Sequence, residues 1–328
     1  MKVVCFGEAL VDMLSNRVSG VSAADGPEQF TKFAGGAPAN AAVAVAKLGG
    51  DAHFAGMLGE DAFGHFLNNA LVEEGVKTDY VRFTSEAKTA LAFVSLDDCG
   101  ERSFEFYRPP AADLLFRADH FDSLLFNGPG ILHICSNSLT EEAIADTTAT
   151  AIVQAQKAGW LVSFDVNLRH NLWPAGEANR ERVNQVVAEA DIVKLSIEEL
   201  EYLAADENAE TGGFIARQLR KRPQLVLVTD GDQPVQWATR STWGGVRPPA
   251  VRAVDTTAGG DGFIGGFLYQ MAAAGVTPDS LAQWLDSGAH ERALEFACAC
   301  GAHAVSHRGA FVALPTQESL SVFLKKTQ

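Results

Sequence analysis

One aspartate, Asp261, stands in the stretch DTTAGGDGFIGGF, which covers residues 255–267. The small residues before it, Ala258, Gly259 and Gly260, predict a tight turn that opens a helix with its backbone N–H groups directed outward. Unpaired N–H groups and the positive end of the helix dipole make such a terminus an anion-binding site. A carboxylate at this place would repel a phosphate unless it faces a second molecule.

The chemistry that uses both groups is phosphoryl transfer to a hydroxyl. The N–H groups would hold the transferring phosphate, and Asp261 would take the proton of the acceptor hydroxyl. The helix dipole favours the ionised carboxylate near neutral pH. The alternative is a plain helix cap with glycines for close packing, and this stretch alone leaves both interpretations open.

A second glycine-rich stretch, AGGAPANAAVAVAKLGG, spans residues 34–50. Pro38 predicts a helix start, and Asn40 then falls in the first turn. Gly35 and Gly36 allow the backbone to approach a neighbour closely. We interpret Gly35, Gly36 and Asn40 as contacts to a polyhydroxylated ligand, with helix-entry chemistry and tight packing as the alternative.

The elements that must position these stretches follow from the hydrophobic pattern. From about residue 125, short apolar strands alternate with helices, which predicts an α/β fold with a mostly parallel sheet covered on both faces. The N-terminal stretch MKVVCFGEALVDML is interpreted as a first strand, because Glu8 and Asp12 interrupt its apolar run. The predicted strands are 131–135, 161–167, 191–196 and 225–229, and the predicted helices are 139–159, 179–190, 197–204 and 214–222.

Two segments break this alternation. Residues 18–36 are polar and rich in turn residues, and residues 89–109 alternate like a hairpin around Asp97–Gly100. Both predict antiparallel strands away from the main sheet. We expect one domain, 1–328, in which these segments (about 12–34 and 89–109) form a small β lid over the sheet edge where α/β folds bind ligands.

Composition and charge argue against several classes of protein. The 328 residues are 47% apolar, which is ample for a large core, and the net charge of −15 with no basic block disfavours nucleic acid and anionic membranes as partners. No apolar run approaches the roughly 18 residues of a membrane span. The five scattered cysteines fit a reducing cytoplasm. The sequence has no P-loop, no protein-kinase motif set, no G-x-S-x-G, and no dinucleotide-binding G-x-G-x-x-G after the first strand.

The two glycine stretches, in this order, resemble the two signatures of the ribokinase/PfkB family of sugar kinases. The similarity covers nearly the whole chain and implies an α/β, ribokinase-like three-layer sandwich with a central mostly parallel sheet and a small β-sheet lid. Within the family the chain is most similar to bacterial fructokinases. The phrases that carry this finer similarity are GEALVDML (7–14), GERSFEFYR (100–108), DVNLRHNLWP (165–174) and VKLSIEELEYL (193–203).

The resemblance implies a sugar site under the lid. An acid after the first strand would bind sugar hydroxyls, and aromatic and basic lid residues would shield the sugar. Hairpin or dimer core is the alternative for the two lid phenylalanines. The implied sugar-binding residues are Asp12, Gly35, Gly36, Asn40, Phe104, Phe106, Arg108 and Asn167.

The resemblance also implies a nucleotide side. Lys194 would reach the nucleotide phosphates, and Glu199 would act on Mg²⁺ through water. Many relatives carry an Asn three residues before this Glu, whereas Ser196 stands there in this chain and offers a hydroxyl instead of an amide. The implied nucleotide-binding residues are Lys194, Ser196, Glu199, Thr229, Gly231 and Cys298.

The implied catalytic group is Asp261 as the base, with Arg169 neutralising charge on the transferring phosphoryl group. Relatives commonly have Gly-Ala-Gly-Asp where this chain has Ala258-Gly259-Gly260-Asp261. We expect the backbone N–H groups to bind the phosphate despite this difference. A monovalent-cation site is implied as well, which predicts activation by K⁺. Its residues are Asp255, Thr257, Ala304 and Gly309.

These residues predict an ATP- and Mg²⁺-dependent kinase for D-fructose, cytoplasmic and homodimeric through the lid. A 2-keto-3-deoxygluconate kinase of the same family and a non-catalytic sugar sensor are the alternatives. The keto acid carries a carboxylate and would require an additional Arg or Lys in the pocket. The segment CACGAHAVSH also offers Cys300, His303 and His307, for which we expect packing or nucleotide contact rather than zinc.

Overall fold

The computed structural model describes residues 1–18, 26–96, 102–108, 110–205 and 210–327. Within these ranges the chain forms one large sheet, one small sheet and helices around them. The large sheet consists of β1 (Lys2–Phe6), β4 (Asp51–Gly59), β5 (Lys77–Thr84), β8 (Gly130–Cys135), β9 (Leu161–Asp165), β10 (Ile192–Ser196), β11 (Leu225–Thr229), β12 (Val235–Ala238) and β13 (Trp243–Val246).

The strand order of the large sheet is β13-β12-β11-β10-β9-β8-β1-β4-β5. From β11 to β5 all neighbours are parallel, and only β12 and β13 pair antiparallel at one edge of the described sheet. The α/β class with a mostly parallel sheet is therefore confirmed. Parallel neighbours bring all their carboxyl ends to one edge, which is where the candidate site lies.

Helices cover both faces of this sheet. Because side chains alternate along a strand, Val3 and Cys5 of β1 belong to one apolar cluster, and Val4 and Phe6 belong to another on the opposite face. The helices are α1 (Ala37–Lys47), α2 (Ala62–Glu73), α3 (Glu142–Lys157), α4 (Arg180–Glu189), α5 (Ile197–Ala204), α6 (Thr211–Gln218), α7 (Gly259–Ala273), α8 (Pro278–Asp286), α9 (Ala289–Val305) and α10 (Gln317–Thr327). The first cluster joins α1, α2, α7, α8 and α9, and the second joins α3 to α6, which gives the predicted three layers.

Helix α7 packs tightly between α1 and α9 because its inner face is made of small residues. A Cβ built on Gly265 would collide with the Cβ of Ala44 and lie 3.0 Å from the carbonyl oxygen of Ala41. On the α9 side, a Cβ on Gly266 would lie 2.8 Å from Cys300 Sγ. The glycines thus hold the N-termini of α1 and α7 close together.

Replacing Gly265 by Ala is expected to lower the free energy of unfolding by about 1–3 kcal/mol, since the added methyl overpacks the α1–α7 contact. Urea denaturation measures this loss. Gly212, exposed near the start of α6 with nothing within 4 Å of a built Cβ, is the matched control. Gly212→Ala should be neutral or stabilising by up to about 1 kcal/mol. Equal stability of the two variants would contradict the proposed close packing.

The small sheet has the order β3-β2-β6-β7 and joins the two segments that interrupt the alternation. The pair β6–β7 is antiparallel, as expected, the pair β2–β3 is antiparallel as well, and a parallel β2–β6 pairing unites them. The N-terminal stretch interpreted as one first strand therefore forms two strands in different sheets, β1 and β2. The turn predicted at Asp97–Gly100 lies outside the described residues. The strands of this sheet are β2 (Leu10–Ser15), β3 (Phe30–Gly35), β6 (Leu91–Leu96) and β7 (Arg102–Tyr107).

Several element boundaries differ from the predicted ones for local reasons. The strand predicted at 161–167 ends at Asp165, because the chain turns at Asn167 with a positive φ of 36°. The helix predicted at 139–159 begins at Glu142, after a 3₁₀ turn. The helix predicted at 214–222 covers Thr211–Gln218, and Pro223 disfavours helical backbone just before it. No helix within the described ranges is both long and apolar enough to cross a membrane.

Candidate active site

The candidate site lies at the carboxyl edge of the large sheet. Glu8 follows β1, Asn137 follows β8, and Asn167 follows β9. Ser196 and Thr229 end the neighbouring strands β10 and β11 and stand directly opposite each other. Five adjacent parallel strands therefore direct their ends to this edge, and the N-termini of α1 and α7 meet it from one face.

Asp261 is buried in the first turn of α7. Its Oδ2 accepts a hydrogen bond of 2.7 Å from Nδ2 of Asn40, which lies in the first turn of α1. The buried Oδ1 of Asn40 has no hydrogen-bond partner among the described residues. A buried acceptor without a partner is costly, so this amide is suited to a hydroxyl donor from a ligand.

The backbone around this pair is shaped by Gly36. It caps α1 with a φ of 104°, a conformation that favours glycine. A Cβ there would lie 2.7 Å from the carbonyl oxygen of Glu8. Its neighbour Gly35, the last residue of β3, has no room for a Cβ against the carboxylate of Asp12. The structure thus gathers all four residues predicted from the first signature: Asp12, Gly35, Gly36 and Asn40.

The start of α7 has the unpaired N–H groups that the glycines predict. The first helical hydrogen bond in the described structure runs from Gly262 N to Ala258 O at 2.8 Å. The N–H groups of Gly260 and Asp261 are thus not used by the helix. Gly259 differs from the expectation, because its N–H donates to Thr256 O at 3.3 Å. The anion site therefore centres on Gly260 and Asp261.

The surroundings of Asp261 have opposing effects on its pKa. Burial raises the pKa of Asp261, whereas the hydrogen bond from Asn40 and the positive charges of Lys194 and Arg169 lower it. Burial and the negative charges of Asp261 and Asp255 raise the pKa of Asp12 to about 7. The site is therefore rich in carboxylates, and Lys194 and Arg169 are the cations that act on Asp261.

Lys194 lies below the first turn of α7. Its Nζ is 3.0 Å from both carboxylate oxygens of Asp165, and both side chains are buried. A Cβ on Gly260 would lie 3.0 Å from the same Nζ. Lys194 was predicted to reach nucleotide phosphates, and the structure places it in an ion pair against the backbone of the anion site.

The turn after β9 brings Asn167 and Arg169 to the site. Asn167 is the one non-glycine residue with positive φ in the described part of the chain, a strained conformation that Asn tolerates well. Its carbonyl oxygen accepts a 3.3 Å hydrogen bond from Ser136 Oγ. Arg169 is exposed at the edge, with Nη1 donating to Leu168 O at 2.9 Å. The positive charge of Arg169 lowers the pKa of Asp261, so this side chain lies within electrostatic reach of the candidate base.

Ser196 and Glu199 form a capping box at the start of α5. Ser196 Oγ accepts from Glu199 N at 3.2 Å, and Glu199 Oε2 accepts from Ser196 N at 2.7 Å. Glu199 Oε1 accepts from Leu168 N at 2.7 Å and so braces the turn that carries Arg169. Both carboxylate oxygens hold backbone N–H groups, which fits the expected contact to Mg²⁺ through water rather than directly.

The residues of the predicted cation site lie beside α7. Asp255 Oδ1 accepts from Thr257 N at 3.1 Å and from Thr257 Oγ1 at 2.5 Å, and Oδ2 accepts from Gly309 N at 3.1 Å. Asp255 N donates to Val305 O, one residue after Ala304. The candidate cation ligands here, which are carboxylate, hydroxyl and carbonyl groups, coordinate through oxygen, the ligand atom that hard cations prefer.

Arg108 directly follows β7 and is buried, and its charge is paired within the protein. Its Nε and Nη2 both lie 2.7 Å from Asp113 Oδ2, and Nη2 also donates to Asn137 O at 2.8 Å. Glu8 Oε1 accepts from Asn137 Nδ2 at 2.9 Å. Phe106 packs on the small apolar cluster under the small sheet, and the side chain of Phe104 lies outside the described part of the structure.

Comparison with known proteins identifies the family and the fold. The family model described as pfkB family carbohydrate kinase matches residues 1–317. The chain belongs to this family of carbohydrate kinases. The predicted family and the phosphotransferase activity on a sugar hydroxyl are confirmed.

Relatives of this carbohydrate kinase carry the name fructokinase. Fructokinase-1 of Zea mays is 41% identical over 324 residues, which are 99% of this chain and 98% of that protein. A fructokinase from Xylella fastidiosa with bound ATP matches with a TM-score of 0.93 and 47% identity, over 99% of this chain and 98% of that one. A double-mutant fructokinase from Vibrio cholerae O395, with fructose, ADP and potassium ion bound, matches with a TM-score of 0.85 and 35% identity over 98% of each chain. The predicted ribokinase-like fold and the similarity to fructokinases are confirmed.

The remaining predicted residues of the kinase lie farther from Asp261. Thr229 ends β11, and Gly231 adopts a φ of 52° in the turn that follows. Cys298 is buried in α9, where burial raises the pKa of its thiol to about 12. Their roles at the nucleotide stay predictions.

His303 near the end of α9 and His307 just after it are engaged in packing. His303 Nδ1 lies 3.1 Å from Ala313 O, and the His303 and His307 rings stack at 4.3 Å. Cys300 is buried against α10. Across the described ranges, no three His, Cys, Asp or Glu side chains are placed to hold a metal.

Sequence reasoning missed Asp165, Asp113 and the role of Glu8. Each is a charged residue within or next to a buried apolar stretch, and this is the one signal that could have marked them. Charged side chains are almost never fully buried unless they are paired. To identify the residues that pair with these three carboxylates, however, the register of the strands and the position of the lid must be known.

Proposed function

We propose that the chain is a fructokinase that transfers the γ-phosphoryl group of ATP to a hydroxyl of D-fructose. The observation that carries this proposal is the buried pair of Asp261 and Asn40 at the meeting of two helix N-termini. The names of the relatives, which include fructokinases with ATP, ADP and fructose bound, supply the substrates.

In the proposed reaction, Asp261 takes the proton of the acceptor hydroxyl. Asn40 holds the carboxylate by its Nδ2 and leaves its Oδ1 for a sugar hydroxyl. Asp12, across from Gly35, accepts from further hydroxyls. The positive charges of Lys194 and Arg169 favour the ionised carboxylate that the base requires.

The transferring phosphoryl group would lie at the N–H groups of Gly260 and Asp261, where the α7 dipole favours anions. Arg169, exposed at the edge of the same site, would neutralise charge that develops in the transition state. The rest of the nucleotide would extend along the sheet edge toward Thr229 and Gly231. These positions keep the base on the sugar side and the N–H groups on the phosphate side.

Two metal ions fit the residues present. Glu199 would hold Mg²⁺ through water, and this ion would neutralise the phosphate charges. Asp255, Thr257 and the backbone around Ala304 and Gly309 would hold K⁺ with oxygen donors, next to the start of α7. K⁺ at this place would stabilise the loop that presents the N–H groups.

The small sheet would serve as a lid that excludes water and as a dimer interface in the cytoplasm. Its edge strands are β3 and β7, which present unpaired backbone groups. On one face, Phe30, Phe93 and Tyr107 form a row with ring centroids 5.2 Å apart, and Phe30 and Tyr107 are 37% and 57% exposed. A second copy of the chain would cover this row.

A neutral sugar suits the site better than a keto acid. A carboxylate substrate requires a cation that is free to pair with it. The charge of Arg108 is already balanced by the carboxylate of Asp113, and Nη2 also donates to Asn137 O, which leaves only its buried Nη1 without a hydrogen-bond partner among the described residues. The geometry therefore favours fructose over 2-keto-3-deoxygluconate.

The proposed function is tested by ADP release with Mg²⁺-ATP and K⁺ against fructose, 2-keto-3-deoxygluconate, ribose and adenosine. We expect fructose to give the highest kcat/KM. Turnover on the keto acid alone would keep the mechanism and replace the substrate. Tight sugar binding without turnover would contradict the kinase assignment of this chain and support a sensor.

A further inference from the structure

The proposed reaction uses the positive charge of Lys194 but does not explain why Lys194 is held in a buried ion pair with Asp165. The register of the parallel strands β9 and β10 sets Lys194 directly opposite Asp165. Two 3.0 Å contacts join the ammonium to the two carboxylate oxygens, so two of the three N–H groups of Lys194 are used by Asp165. Both side chains point to the sheet face that α7 covers.

The ammonium is in contact with the backbone of the anion site. A Cβ on Gly260 would lie 3.0 Å from Lys194 Nζ, so the glycine is what allows α7 to rest on the charge. The positive group thus lies beneath the residue that precedes Asp261. The electrostatic interaction of this cation with Asp261 passes through the protein interior rather than through solvent. Because buried charges are screened little by salt, the interaction is strong.

We propose that Asp165 and Lys194 are positioning residues of the kinase: Lys194 keeps the base Asp261 ionised from below α7, and Asp165 holds Lys194 in place and limits its charge. The inference rests on the proposed function, because that function makes Asp261 the base. It differs from the family-based expectation, in which Lys194 contacts the nucleotide phosphates.

Electrostatics support the arrangement. The positive charge of Lys194 lowers the pKa of Asp261, whereas Asp165 and Asp261 repel each other. A buried ammonium without a counter-ion is strongly unfavourable, and Asp165 supplies the counter-ion. Because the two charges of the pair partly cancel, their combined effect on Asp261 is smaller than that of a full positive charge. Removing Lys194 makes the electrostatic potential at Asp261 more negative, and removing Asp165 makes it more positive.

Other charges near Asp261 come from several elements. Helix α9 faces the first turn of α7 with Gly301, Ala304 and Val305, which carry no charge. Asn40 of α1 is neutral. The charges that lower the pKa of Asp261 are those of Lys194 of β10 and Arg169 after β9. The titratable groups whose pKa the charge of Asp261 raises are Asp12 of β2, Cys135 of β8 and Asp165 of β9.

The test compares Lys194→Met, Asp165→Asn and the double variant with the wild-type chain. The measured quantity is kcat/KM for fructose against pH at saturating Mg²⁺-ATP, whose acid limb reports the base. Lys194→Met should shift the midpoint of the acid limb to a pH about one unit higher, and Asp165→Asn should shift this midpoint to a lower pH. The double variant should return close to wild type, which a merely structural role would not produce.

A second measurement covers variants that lose activity. Titration of ¹³C-labelled aspartate carboxyls by NMR, with Asp261→Asn to assign the signal, should show the same shifts. If Lys194→Met does not fold, the downward shift in Asp165→Asn decides the matter. The assignment through Asp261→Asn separates the signal of Asp261 from that of Asp12, whose pKa also responds to the charge of Asp261.

The outcomes separate the inference from the proposed function. A wild-type chain without sugar-dependent turnover contradicts the function, and the carboxyl titration still decides the inference. Wild-type turnover with an acid limb unmoved in the variants overturns the inference. A raised KM for ATP in Lys194→Met with an unmoved limb also overturns it and returns Lys194 to nucleotide contact.

Discussion

Replacing Asp261 by Asn is expected to lower kcat for fructose phosphorylation by about 10²–10⁴-fold, because the base is lost. The amide has the shape of the carboxylate, so its oxygen can accept the hydrogen bond that Asn40 donates at 2.7 Å in the wild-type chain. The folded structure should therefore persist. Steady-state ADP release with Mg²⁺-ATP, K⁺ and fructose measures the loss, and a thermal melt checks the fold.

The matched control for this variant is Asp279. It lies in the first turn of α8 and is exposed, whereas Asp261 lies buried in the first turn of α7. Asp279→Asn removes the same charge from the same kind of helix position and should leave kcat unchanged, with stability within about 0.5 kcal/mol. If both variants turn over like the wild type, Asp261 is only a helix cap and the proposed base is wrong.

The α7 terminus could be predicted because its signals are local. An apolar helix here begins with Gly259 and Gly260 followed by an acid. This local pattern predicts an anion site independently of the rest of the fold. The partner of Asp261 was predicted only as a separate ligand contact. That Asn40 donates to Asp261 requires α1 and α7 to meet, 221 residues apart in sequence.

The buried charges could not be paired from the sequence. In LVSFD, alternation places Asp165 on the same face as Leu161 and Ser163. Which residue of the next strand stands opposite depends on register, which the packing of helices on both faces decides. The pairing of Lys194 with Asp165 follows from that register, which sets the two residues directly opposite each other.

The arrangement of the small sheet could also be predicted only in part from the sequence. Each of its two antiparallel pairs has a local pattern, and both segments were predicted as strands. The parallel pairing of β2 with β6 joins segments far apart in sequence, with Asp12 opposite Ala92. The antiparallel pairing of β2 with β3 sets the Asp12 carboxylate beside Gly35, whereas the position of β6 and β7 next to them depends on a contact without any local signal.

Replacing Arg108 by Met is expected to lower the free energy of unfolding by about 3–5 kcal/mol, since it leaves buried carboxylates without their cation. Arg108 holds Asp113 through two 2.7 Å contacts and ties the end of β7 to Asn137, next to Glu8. Urea denaturation at neutral pH measures the loss. Lys77→Met is the control, because Lys77 pairs with Asp51 at 2.6 Å on the exposed surface and should cost less than about 1 kcal/mol.

The pH dependence of this loss has a definite sign. Burial raises the pKa of Glu8, and the charge of Arg108 and the hydrogen bond from Asn137 oppose that rise. Without Arg108 the folded-state pKa of Glu8 rises further above its unfolded value. Such a carboxyl is favoured in the folded chain when protonated, so the variant should be closest to wild type at low pH and lose stability as the pH increases.

Removing both charges should separate a structural role from a substrate contact. Arg108→Met combined with Asp113→Asn leaves fewer uncompensated charges, and we expect it to regain part of the lost stability. The KM for fructose should change little in either variant if Arg108 acts through the fold. An unfolding free energy unchanged in Arg108→Met, together with a raised KM for fructose, would contradict the structural role and support the sugar contact that the family resemblance implies.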